Sequence, residues 1–416
     1  MFIEEFSFGN FKSFKDIQTL RMTAAKIKSK NKTLDIQNVL TANDTQLLKS
    51  KVIYGANASG KSNAVQALVH FIGIIGTCLR KEGALEYFIS PFMYSTETEN
   101  EPSYFQLNFH IENKKYRYGF EASQEKINCE WLYMTHNVRE VPVFLRENQN
   151  IIEISKTHLP KGYEISKLKT KLLTEKVLFL SLIESFEDKL AETILKNIFS
   201  ISVCGNQYMD ILFEDYLKNK NDVSEITDFI KLMDTGINDM ILAKTKAEKS
   251  DKEETVLLSS HKKYNESMEE VAPVYTDFNA VESDGTRQML FLSPVILKAL
   301  KMGAPVIIDE FGSQLHSLLA KEIISLFNST KNNKSQIIVA THTTELMSPD
   351  LLRKDQIDFV EKDIYGRSYL YTLVEIKGIR NTASFEKDYL KGKYSAIPFL
   401  GNHDELEKIC NETIEA

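Results

Sequence analysis

The segment Gly55-Ala-Asn-Ala-Ser-Gly-Lys-Ser62 constrains this chain more than any other. It fits G-x-x-x-x-G-K-[ST] in full, a loop whose backbone N–H groups close around phosphate oxygens. Its flanks supply the context the motif requires. Lys51 to Tyr54 read as a brief apolar strand, and Asn63 to Cys78 carry Val65, Leu68, Val69 and Ile72 at helical spacing. Strand, glycine loop and helix follow in order, so a nucleoside triphosphate is the expected ligand. Gly55, Ala56, Asn57, Ala58, Ser59 and Gly60 form the cradle, with Asn63 at its exit. Lys61 is expected to reach the β- and γ-phosphates, and Ser62 to ligate Mg2+.

Such a loop needs a second element to hold the metal and activate water. Val306-Ile-Ile-Asp-Glu310 is a short apolar strand ending in two carboxylates. Asp309 is expected to complete the Mg2+ site and Glu310 to act as general base. A later apolar strand ends in Thr341-His342, where His342 could touch the γ-phosphate from the side. Glu282-Ser-Asp-Gly-Thr286 opens a helix, where Ser283 and Gly285 offer a hydroxyl, backbone N–H groups and a positive dipole end. Read alone, Ser283 or Asp284 would be an ordinary helix N-cap.

Two other matches are coincidences. Asp309-Glu-Phe-Gly312 fits DxxG and Asn219-Lys-Asn-Asp222 fits NKxD, but their order is the reverse of a GTPase. Gly401-Asn-His-Asp404 echoes a binuclear metallophosphatase, yet the chain has no D-x-H and no G-D to supply the other ligands.

Period-two runs such as FIEEFSF and DIQTLRM predict strands of an antiparallel sheet in the first fifty residues. Five more strands are expected between Ser103 and Ile154, and helical text from Leu173 to Leu232. Lys244 to Glu254 is so charged that a solvated, mobile hairpin loop is expected. After Phe278, helices alternate with the apolar strands PVIIDE and SQIIVATH, which predicts parallel strands covered on both faces. The expected divisions are an N-terminal lobe with the phosphate loop and hairpins (1–181), a mainly helical insertion with the charged loop (182–270), and a C-terminal lobe and tail (271–416). There are no sustained heptads and hence no long coiled coil.

Composition narrows the setting. With 51 basic and 58 acidic side chains the net charge is −7, which argues against a general nucleic-acid coat. The notable basic concentration lies in residues 156–176, most simply a solvated face. No uncharged apolar run reaches the ~18 residues of a transmembrane helix, and the first residues lack a signal-peptide pattern. The four scattered cysteines include no CxxC pair, so no disulfide framework is indicated. A cytoplasmic protein is expected, with no membrane partner.

The ordered set NFKSF (10–14), GANASGKSN (55–63), ESDGT (282–286), VIIDEFGSQLH (306–316) and ATHTTELM (340–347) resembles the bacterial ABC-type ATPases of the OLD, RloA and AbiL kind. The tail segments FVEKDIYGRSYLY (359–371) and YLKGKYSAIPFL (389–400) are most similar to the RloA/AbiL branch, associated with anti-phage defence. The resemblance implies an α/β ABC-type ATPase head, related to SMC and RecF proteins. That fold carries a mixed sheet, an antiparallel β-subdomain and a helical insertion. It implies hydrolysis of ATP with Mg2+ in a head-to-tail homodimer. Ser283 and Gly285 then act in trans, with Glu310 as catalytic base and His342 as switch histidine. Lys12 and Ser13 match a family position near the nucleotide. The glutamine that couples metal to the accessory subdomain has no clear counterpart: Leu178 to Leu182 lack one, and Gln106 lies on a hairpin strand. Ser317 stands where the family has proline.

The residues given after His342 contain no D-x-D pair, so the Toprim nuclease of OLD proteins is not expected here. The leading expectation is a nucleotide-gated sensor or scaffold for a separate effector protein, such as a nuclease. The alternatives are a RecF- or SMC-like ATPase that binds DNA, and, less favoured, a transporter motor.

Overall fold

The computed structural model describes residues 1–136, 139–168, 172–205, 220–233, 235–246, 253–380, 383–398 and 407. Strands β1 (Phe2–Gly9) and β2 (Gln18–Arg21) open the chain, and a small ribbon of β3 (Val39–Ala42) and β4 (Thr45–Leu48) follows. β5 (Ser50–Tyr54) leads through the phosphate loop into the helix Lys61–Thr77. Next come the five hairpin strands β6 (Ser103–Ile111), β7 (Lys114–Ala122), β8 (Ile127–His136), β9 (Arg139–Glu147) and β10 (Asn150–Ile154). Helices Phe179–Glu184 and Lys189–Ile198 precede β11 (Ser202–Cys204). The helix Lys220–Lys231 leads to β12 (Asp239–Lys246), β13 (Glu253–Tyr264) and β14 (Glu270–Asp277). The helix Asp284–Met302, β15 (Val306–Ile308), the helix Ser317–Asn328 and β16 (Ile337–Ala340) then alternate. Strands β17 (Ile357–Lys362) and β18 (Ser368–Thr372) and the helix Phe385–Leu390 complete the described elements.

Two sheets dominate. One has seven antiparallel strands in the order β10-β9-β8-β7-β6-β1-β2. The other has six, β11-β15-β16-β5-β17-β18, parallel throughout except for β18. Alternation along the parallel strands divides their side chains between two cores. Ile53, Ile307, Ile338 and Ala340 face the helix Lys61–Thr77, whose Phe71, Ile74 and Ile75 also meet Phe6, Phe105 and Phe120 of the antiparallel sheet. Val52, Val306, Ile308 and Val339 point the other way, onto Met289 and Val295 of one helix and Ile323 and Phe327 of the next. The phosphate-loop helix is thus sandwiched between the two sheets, which fixes its N-terminus. Gln336 stitches the sheets together: its side chain exchanges hydrogen bonds with Ile3 N (2.7 Å) and Ile3 O (3.0 Å) and donates to Leu48 O (3.0 Å).

Both the α/β class and the parallel order agree with the sequence pattern. The longest helix among the described residues has 19 residues, so no long coiled coil is present there. No described helix is long and apolar enough to cross a membrane.

Two segments differ from expectation. The helical reading from Leu173 to Leu232 misses β11, which pairs in parallel with β15 from Ser202↔Val306 to Cys204↔Ile308. Three residues are too few to show a period of two, and the amphipathic helices on either side conceal them. The charged stretch 244–254 does join an antiparallel hairpin, as expected, but β12 and β13 enter it from both ends, with Lys244 opposite Thr255 and Lys246 opposite Glu253. A three-stranded antiparallel sheet, β12-β13-β14, therefore stands where mostly helix and loop were expected. Residues 247–252, Asn219 of the NKxD match and the motif at 401–404 lie outside the described residues, as does the part of the expected helical text from 206 to 219.

Candidate nucleotide-binding site

The loop takes its shape from backbone that few side chains tolerate. Gly60 has φ +115°, and Ala58 has φ +60°. A Cβ at Gly60 would stand 2.6 Å from Ser368 Oγ and 2.8 Å from Ser13 Oγ, and one at Gly55 would overlap Val360 O of β17. Gly60 is therefore required both by torsion and by close approach, and Gly55 by close approach alone. Behind the loop a hydroxyl cluster fixes it. Ser368 Oγ donates to Ser59 O (2.6 Å) and lies 2.8 Å from Ser13 Oγ, which accepts from Asn63 Nδ2 at 2.8 Å. Ser13 in turn accepts Ser368 N through its carbonyl (2.7 Å).

Lys61 is buried, and its ammonium donates to Gly55 O (2.8 Å) and Ala56 O (3.0 Å). Burial pulls its pKa down to about 8, against the opposing pull of Asp309 and Glu310. The helix it opens has first-turn N–H groups with no intrahelical acceptor, which face the loop mouth with the positive end of the helix dipole.

The acids arrive from the neighbouring strands. β15 ends at Ile308; Asp309 N then donates to Cys204 O of β11 (2.8 Å), and Glu310 N to Asp309 Oδ1 (3.0 Å). Glu310 is exposed and holds φ +54°, a left-handed backbone rare for glutamate and a form of strain that gathers at working sites. Phe311 N donates to Ala340 O (2.9 Å), which ties the acid turn to β16 and so to His342. Burial first, then the Lys61 ammonium, lowers the His342 pKa below its ordinary value, while Asp309 opposes them.

These elements enclose one cavity of about 420 Å³, lined by Asn57 to Asn63, Asp309, Glu310, Ala340, Thr341, His342 and Lys362. Of the remaining expected residues, Gly55 and Ala56 lie under Lys61, and Ser13 belongs to the hydroxyl cluster. Lys12, with φ +50°, donates from Nζ to Gln66 on the next turn of the helix. Ser283 and Gly285 do not line the cavity. Ser283 caps its own helix, accepting from Thr286 N at 3.2 Å, and Gly285 packs so close to Gln314 O that a Cβ would stand 2.8 Å from it.

Neither glutamine candidate reaches the site. Gln106 Oε1 accepts from Arg117 (3.1 Å) and Trp131 (3.0 Å) on the antiparallel sheet. The segment at Leu178 is held instead by Glu130, whose carboxylate accepts from Phe179 N (2.6 Å), Leu180 N (2.9 Å), Tyr118 (3.0 Å) and Arg146 (3.1 Å). Three contributors escaped the sequence reading: β11 beside Asp309, Ser368 behind the loop, and Lys362 on the cavity wall. All three depend on tertiary register, and only the tail match FVEKDIYGRSYLY spanned two of them.

The residues present fit a metal–nucleotide ligand. Ser62 and Asp309 offer hard oxygen donors on the same cavity, and Ser59 Oγ is buried without a hydrogen-bond partner. Among the described residues no cluster of three His, Cys, Asp or Glu side chains forms a metal cage. Mg2+ suits such a site, since it takes one or two protein ligands and fills the rest with water and phosphate oxygen. A larger cavity of about 610 Å³ lies at the far end of the same helix, between Cys78–Leu85 and Leu173–Val177, and contains none of the motif residues.

None of the curated proteins compared matches the chain. Among solved structures it is similar to the SMC head domain from Thermotoga maritima, at 15% identity and a TM-score of 0.45 over 89% of this chain and 99% of that one. It is also similar to an SMC head bound to the C-terminal winged-helix domain of ScpA, at 14% identity and a TM-score of 0.45 over 89% and 98%. A third is an SMC head with an extended coiled coil, bound to the C-terminal domain of ScpA derived from Pyrococcus furiosus, at 14% and 0.42 over 89% and 96%. The family model described as "AAA domain, putative AbiEii toxin, Type IV TA system" matches residues 52–348, from the strand before the phosphate loop to just beyond the histidine strand. The chain belongs to that family of AAA-type ATPase domains.

Proposed function

We propose that this chain is an ATP-hydrolysing ABC-type ATPase that closes as a head-to-tail dimer around ATP and Mg2+. The observation that carries the reading is the single cavity uniting Lys61, Ser62, Asp309, Glu310 and His342, drawn from the ends of three adjacent parallel strands. The first-turn N–H groups and Lys61 bind phosphate oxygens. Ser62 and Asp309 hold the metal, which when bound neutralises charge on the phosphates. Glu310 takes the proton of the attacking water, and His342, neutral near pH 7, orients that water or the terminal phosphate.

Ser283 and Gly285 lie away from their own phosphate loop, which supports a role across a dimer. In a second copy the same helix N-terminus would face the terminal phosphate, so closure would require ATP rather than ADP. An ATPase gated in this way suits a sensor or scaffold that controls a separate effector, and we place it with the RloA/AbiL/OLD group of anti-phage proteins. The family description names a toxin of a toxin–antitoxin system, a two-component setting that supports a partner protein.

The DNA-handling alternative draws less support. Much of the basic run 156–176 makes contacts within the chain: Lys167 lies 4.1 Å from the Tyr163 ring centre, Lys161 donates to Phe186 O (2.8 Å), and Lys176 pairs with Glu86. Residues 169–171 of that run lie outside the described residues. Turnover of Glu310→Gln tests the reading. It should fall roughly 10²–10⁴-fold while ATP affinity is retained. Unchanged turnover would remove Glu310 from the role.

A further inference from the structure

Resting on the proposed nucleotide site, we infer that Lys362 is a second cation of that site, holding the end of the nucleotide remote from the transferred phosphate. Lys362 ends β17, and its side chain lines the cavity with Asn57. Its position is fixed by the loop itself. β17 pairs in parallel with β5 up to Phe359↔Tyr54, and Val360 O lies directly against Gly55. Across β17–β18, Lys362 is the register partner of Ser368, the residue whose hydroxyl and amide clamp Ser59 and Ser13. The hairpin is therefore bolted to the phosphate loop at the point from which Lys362 projects. Its ammonium forms no hydrogen bond or ion pair among the described residues. Lys61, by contrast, is buried on backbone carbonyls.

Strand order decides which part of the ligand Lys362 meets. Asp309 and Glu310 follow β15, and β16 and β5 separate that strand from β17. Three spacings of about 4.8 Å put β15 and β17 roughly 14 Å apart. A triphosphate whose terminal phosphate and metal lie toward the acids thus extends its α-phosphate and ribose toward Lys362. An ammonium there adds a charge-assisted bond shared by ATP and ADP, and none specific to the γ-phosphate.

Calorimetric titration of ATP–Mg2+ and ADP–Mg2+ into wild type, Lys362→Ala and Lys362→Arg tests this. Lys362→Ala should weaken both nucleotides to a similar extent, about tenfold, the low end for a bond to a charged group because the side chain is solvated. Lys362→Arg should recover most of that loss. The side chain is exposed, so the alanine variant should melt with the wild type, which separates lost binding from lost folding. Unchanged affinity for both nucleotides would overturn the inference. A loss confined to ATP would also overturn it, since the contact would then be to the terminal phosphate. A wild type that binds neither nucleotide would remove the underlying site instead.

Discussion

Gly60→Ala tests whether the phosphate loop is held by the geometry described. An alanine at φ +115° carries about 1–3 kcal/mol of backbone strain. Its methyl would also lie 2.6 Å from Ser368 Oγ and 2.8 Å from Ser13 Oγ. Neither hydroxyl can withdraw freely, because Ser368 Oγ is bonded to Ser59 O at 2.6 Å and Ser13 Oγ accepts from Asn63 at 2.8 Å. Losing one of these bonds costs about 1 kcal/mol more. The expected loss is about 3 kcal/mol, read from urea denaturation, together with lost ATP binding. Ser368→Ala in the same background removes the nearest oxygen. The double variant should therefore be less destabilised than the sum of the singles, by about 1 kcal/mol. A Gly60→Ala loss below about 1 kcal/mol, or strict additivity with Ser368→Ala, would refute the argument from close approach.

Glu130→Ala should lose about 3–5 kcal/mol, measured by urea denaturation, because it strands the fully buried Arg146 and frees two amides of the Leu178 segment; a loss under about 1 kcal/mol would contradict that anchoring role. His342 should titrate below the ordinary histidine value of 6.5 by NMR of its ring, and its midpoint should rise in Lys61→Met, which removes the nearby ammonium. The sign for stability follows: wild type should lose stability relative to His342→Gln as pH falls through 6.5, since the unfolded chain then binds the proton more readily than the folded one. A midpoint at or above 6.5 would contradict this.

Local signals were enough for much of the site. The phosphate loop, the acid pair after β15 and the histidine after β16 each stand at the end of a buried strand that leaves an apolar run in the sequence. Parallel order followed from helices alternating with such runs. What escaped has physical reasons. β11 is three residues long, and its value lies in pairing with β15 and receiving Asp309 N, a contact that no period encodes. Ser368 and Lys362 acquire their places through the register of β17 on β5 and β18 on β17, far along the chain from the loop they support. The absence of a glutamine near Leu178 has a structural counterpart: that segment is bound to the buried Glu130–Arg146 pair and presents its backbone there.

The central claim, ATP-dependent closure of two copies, is tested most directly by the light-scattering mass of Glu310→Gln with and without ATP–Mg2+, beside Glu310→Gln/Ser283→Arg. The account predicts that ATP raises the mass from monomer to dimer in the first protein and leaves the second, whose own phosphate loop is intact, monomeric. A Glu310→Gln protein that binds ATP and stays monomeric, or a dimer indifferent to Ser283→Arg, would contradict it.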